Sequence, residues 1–143
     1  MTLVVIITII LYAIAVAWTW QSLAFLERDK KVGVICIGVI VMLLIALVMF
    51  YISKSGVNYQ TMEIEQSVRN ILVLLFAGLN SVIILPQIGR VLGKIYEDEI
   101  TKEKASRRFI IIFIVLILLV TFECGYMKST QEGILRVYNA MQQ

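Results

Sequence analysis

Few residues in this chain have types and spacings that could do chemistry. Glu123 is the one carboxylate inside the apolar run from Phe109 to Met127. An unpaired charge at mid-membrane costs about 2.5–3.5 kcal/mol on insertion scales, so this acid must be protonated, paired or reached by water. Counted from Arg108 at about 1.5 Å per residue, it lies roughly 7 Å to the outer side of mid-membrane. A second set is Arg69, Asn80, Gln87 and Lys94. At about 100° per residue these fall within roughly 20–40° of one line, with Arg90 slightly to the side. A third set, Thr8, Tyr12, Ala15, Thr19 and Ser22, shares one face of the first apolar run. Thr8 and Tyr12 reach about the height of Glu123, so the spacing predicts a cluster of Thr8, Tyr12, Asn80 and Glu123, prolonged toward the basic end by Gln87 and Arg90. Such a stripe can conduct a proton or cation. It can equally hold helices together by hydrogen bonds averaging about 0.6 kcal/mol each, with Glu123 reaching out to water.

Other chemistry is excluded. The chain has no histidine, which removes Ser-His-Asp and Cys-His catalysis and every imidazole metal site. Cys36 and Cys124 have neither the number nor the spacing of a metal knuckle or redox pair, and they read as apolar fillers. Glu97-Asp98-Glu99 lacks the glycine-bearing context of a calcium loop and reads as solvated. Phosphate-binding loops, dinucleotide fingerprints and nucleophile elbows are missing. No enzyme, cofactor or metal site is expected, and a net charge of +3 does not point to nucleic acid.

The elements that must position these residues are membrane helices. Hydrophobic residues make up 60% of the 143 and charged residues 16%, against about 25% charged in a soluble domain. The expected fold is all-α, a single membrane domain forming an integral membrane four-helix bundle with a short amphipathic C-terminal helix. The apolar runs set the helices near 3–26, 32–53, 70–94 and 108–127, each long enough for a core that about 20 residues span. The first run has no basic start, so it reads as a span rather than a cleaved leader. Lys54 to Asn58 reads as a turn. Pro86 should kink the third helix, and Asp98–Lys102 and Glu103–Arg107 are spaced as ion pairs flanking a turn near Thr101. Ser129 to Glu132 matches a capping box, which predicts a separate tail helix over 129–141 with Ile134, Val137, Tyr138 and Met141 on one face. That face suits the headgroup layer or a docking partner.

Loops after the first and third spans hold nine lysines and arginines, and the other side holds four. Short basic loops stay in the cytoplasm, so this multi-pass chain is expected in the cell membrane with both termini extracytoplasmic. Opposite its polar stripe the third helix carries Gly78, Ser81, Gly89 and Gly93, a small face that permits close helix contact. With protein wanted on both faces, this helix should be central.

The functional expectation is a non-catalytic scaffold or accessory subunit. Its partners would be the lipid bilayer and other membrane proteins, or its own copies in a homo-oligomer held by the glycine face. The alternative is a small channel, holin-like pore or transporter using the stripe and Glu123. In the length of its single spans the chain resembles small four-helix transporters. It departs from them in having no carboxylate in the first helix, where they carry their signature acid.

Overall fold

In lipid no water satisfies the backbone, so an apolar run of this length can only close its hydrogen bonds within a helix. The computed structural model describes residues 2–54 and 61–143, and its elements are α1 (Thr2–Ser22), α2 (Arg28–Ile52), α3 (Met62–Tyr96) and α4 (Lys102–Met141). All four are long and apolar enough to cross a membrane. Their outward surfaces are greasy, with Ile9, Ile37, Leu44, Phe113, Leu118 and Phe122 among the large exposed side chains. So much bare apolar surface belongs against lipid, and the chain is built as a multi-pass membrane protein.

The helix α3 is the hub on which α1, α4 and α2 pack. Leu11 meets Gly78, Ser22 meets Gly89 and Phe25 meets Gly93, so α1 runs parallel to α3. Phe50 lies under Arg69 and Gly38 faces Leu85, so α2 is antiparallel. Phe76 stacks edge-on against Tyr126, so α4 is antiparallel too. This brings the C-terminal ends of α1 and α3 and the N-terminal ends of α2 and α4 together, and with them the nine basic residues of their connections. Two apolar layers fill the interior. One joins Ala15, Met42, Ile84, Leu85 and Leu116; the other joins Met49, Val73, Cys124 and Met127. Cys36 and Cys124 are both free thiols.

Several sequence expectations give way. The separate tail helix does not exist, because α4 runs 40 residues without a break to Met141. Thr130 donates back to the Tyr126 carbonyl at 2.9 Å, a bond made inside a helix rather than at its start. At about 1.5 Å per residue α4 is roughly 60 Å long, twice a ~30 Å hydrocarbon core. The third helix begins at Met62 rather than near 70 and passes through Pro86 as one element. By the α1–α3 register, Thr2 comes level with Arg69. The first two turns of α3 and the last turns of α4 therefore project past α1 as a two-helix stalk.

The fourth helix opens at Lys102, not 108, with the Thr101 hydroxyl accepting from the Lys104 amide. Neither Asp98–Lys102 nor Glu103–Arg107 forms an ion pair among the described residues. Asp98 instead sits at φ 54° in the reversal between α3 and α4, a left-handed position that aspartate tolerates better than most residues. The first helix ends at Ser22, and 23–26 form a turn closed by the Leu26 amide on the Leu23 carbonyl. The expected turn at Lys54–Asn58 lies, beyond Lys54, outside the described residues.

Candidate functional site

Asn80 and Glu123 meet in the middle of the α3–α4 seam. Asn80 is 1% exposed and Glu123 6%, and the Asn80 Nδ2 donates to the Glu123 Oε2 at 2.8 Å. In a low-dielectric interior no water competes for this bond, which strengthens it. The Asn80 Oδ1 is left without a partner, and so is the buried hydroxyl of Tyr12. By the α1–α3 register, Tyr12 stands level with Leu79, one residue from Asn80.

The remaining α1 hydroxyls do not join this group. Thr8 is buried but donates to the Val4 carbonyl at 2.9 Å; Thr19 donates to the Ala15 carbonyl at 2.6 Å, and Ser22 to Trp18 at 2.9 Å. Each satisfies its own helix, which is how hydroxyls enter apolar segments cheaply.

Gln87 and Arg90 do not continue a buried line below Asn80. The layer of Ile84, Leu85, Leu116 and Met42 lies between, and both side chains are exposed. They line a cleft of about 320 Å3 between α3 and α4, together with Val91, Lys94, Arg108, Ile111 and Ile112. Long cationic side chains lay their stems on apolar surface and keep their heads in water. Arg90 also sits over the Trp18 ring at 5.6 Å.

The small face of α3 closes on α1 within the chain. A Cβ added to Gly89 would stand 2.9 Å from the Ser22 Cβ, and one added to Gly78 would stand 3.1 Å from the Leu11 Cβ. Ser81 is fully buried with its hydroxyl on the Ala77 carbonyl, and Gly93 lies against Phe25. Within the chain this face is occupied by α1.

At the stalk end sequence reasoning picked out Arg69 but missed Gln131, Thr61 and Glu65. Gln131 is 1% exposed with neither amide atom partnered, and Arg69 is buried over Phe50 at 4.4 Å with its Nε unpartnered. Thr61 donates to the buried Glu65 carboxylate. The signal for Gln131 was available, since Leu116, Glu123, Cys124, Met127 and Gln131 form one inward stripe once α4 is read as continuous. Nearby, Ile134, Val137, Tyr138 and Met141 line a groove of about 500 Å3 with Ile64, Thr130 and Gly133. The Tyr138 hydroxyl accepts from the Gln142 Nε2 at 2.8 Å.

No family model matches this chain, and no curated protein or solved structure does either. Functional assignment therefore rests on the geometry. No three of Cys, Asp and Glu gather as a metal cluster among the described residues.

Proposed function

We propose that this chain is a non-catalytic membrane subunit, a helical scaffold that presents its α3–α4 stalk to another membrane protein. The observation that carries this reading is the apolar layer of Ile84, Leu85, Leu116 and Met42. It separates the Asn80–Glu123 pair from the basic cleft, so the described residues of a single chain offer no polar route between the two. The pair then serves as a bolt between α3 and α4. A groove lined by apolar side chains on a stalk longer than the bilayer requires supports contact outside the hydrocarbon core.

A second reading draws support from the unpartnered Tyr12 hydroxyl and Asn80 Oδ1 near Glu123. Orphaned polar atoms around a membrane acid are what a proton or cation site in a small channel or transporter would need. Flux through reconstituted liposomes separates the two. The scaffold reading expects wild type, Asn80→Ala and Glu123→Gln to leave proton and potassium gradients equally intact. Wild-type flux abolished in both variants would overturn it.

A further inference from the structure

We propose that the cleft between α3 and α4 at the basic end of the bundle binds the phosphate of an anionic phospholipid. Three cationic side chains line it from two antiparallel helices, Arg90 and Lys94 on α3 and Arg108 on α4, with the Gln87 amide as an additional donor. No acidic side chain lines the cleft, and none of the three cations has an ion pair among the described residues. The acids of the adjoining reversal, Glu97, Asp98 and Glu99, are exposed and lie outside it. Cations lining one cleft without an acidic neighbour suit an anion, and arginine offers a planar fork matched to phosphate oxygens. At about 320 Å3 the cleft holds roughly ten times the ~30 Å3 of a water molecule.

Three observations favour a lipid over free phosphate. The cleft also has apolar lining, Val91, Ile111 and Ile112. Arg90 lies over Trp18, and tryptophan settles at the headgroup level of a bilayer. From Arg108 the exposed side chains of Ile111, Val115 and Leu118 continue along α4, a track on which acyl chains can lie while the headgroup is held above. Basic pockets between membrane helices bind anionic headgroups on this principle. The site is independent of the scaffold reading and would exist in a transporter as well.

The test is native mass spectrometry of the detergent-purified chain offered equimolar phosphatidylglycerol and phosphatidylcholine, with inorganic phosphate and glycerol 3-phosphate as separate arms. Phosphatidylglycerol should be retained at least tenfold over phosphatidylcholine, and neither soluble phosphate should displace it at equal concentration. Arg108→Gln makes no change inside the bundle and should weaken retention about fivefold, the effect of one cation at an anionic surface. Arg90→Gln combined with Arg108→Gln should weaken it further, and the two lysine substitutions should restore most of it. Lys104→Gln with Arg107→Gln removes the same charge from the same end outside the cleft and should leave retention unchanged. Equal retention of the two lipids, displacement by inorganic phosphate, or equal losses in the cleft and control variants would overturn the proposal.

Discussion

The two long seams of α3 are built on opposite principles. Toward α1 the contact is small and close, with Gly78, Ser81, Gly89 and Gly93 letting Leu11, Ser22, Leu23 and Phe25 approach the backbone. Toward α4 it is wider, bolted near its middle by Asn80 and Glu123 and opening into clefts at both ends. Lipid tails are as apolar as leucine, so membrane helices gain little from hiding grease and associate by packing or by polar bonds. This chain uses close backbone packing on one side of its hub, and on the other apolar layers with one polar bond set between them. The packed seam has no room left for a ligand, whereas the bolted seam leaves space at each end.

That contrast can be broken most forcefully at Thr130. Were the last turns of α4 a separate helix, Thr130→Pro would sit at its first position, where proline is welcome. In a continuous α4 the same change removes the bond to Tyr126 and clashes with the turn before it, at about 3 kcal/mol or more. Circular dichroism should show lost helicity, and unfolding in mixed micelles should show a matching fall in stability. Full retention of both would mean that the stalk is not one rod.

The seams themselves should answer a substitution to alanine with opposite signs. At Gly89 the new methyl meets the Ser22 Cβ, which cannot swing aside as a side-chain tip could. Gly89→Ala should therefore destabilise by about 1–2 kcal/mol. At Gly133, on the open groove, nothing lies within 4 Å. Gly133→Ala should stabilise by roughly 0.5–1 kcal/mol through helix propensity alone. Thermal unfolding in detergent reads both, and a shared sign would erase the distinction between a closed and an open seam.

The smallest effect belongs to the bolt. A double-mutant cycle over Asn80→Ala and Glu123→Ala should give a coupling of about 1 kcal/mol, near the ~0.6 kcal/mol average for membrane hydrogen bonds. Zero coupling would leave α4 held by packing alone.

The spans were legible because lipid forces them, and long uncharged runs have one way to satisfy their backbone. The spacing also grouped Asn80 with Glu123, and the structure joins them. Lateral distance was not legible. The stripe angle places Asn80 and Gln87 on one side of α3 but does not reveal that α4 closes over the first and stands off the second. The stalk was misread for a local reason. Ser129 to Glu132 carries the residues of a capping box, yet the preceding turn stays helical and continues the inward stripe to Gln131.

The unbroken length of α4 has a mechanical consequence. A helix with no hinge between Arg108 and Tyr138 behaves as a lever, so a tilt imposed at either end is felt at the other. A change of about 10° in a rod of roughly 60 Å carries its far end some 10 Å sideways. Helices meet a thinner or thicker bilayer largely by tilting. The groove at the stalk end would then shift its position with the thickness of the membrane in which the chain resides.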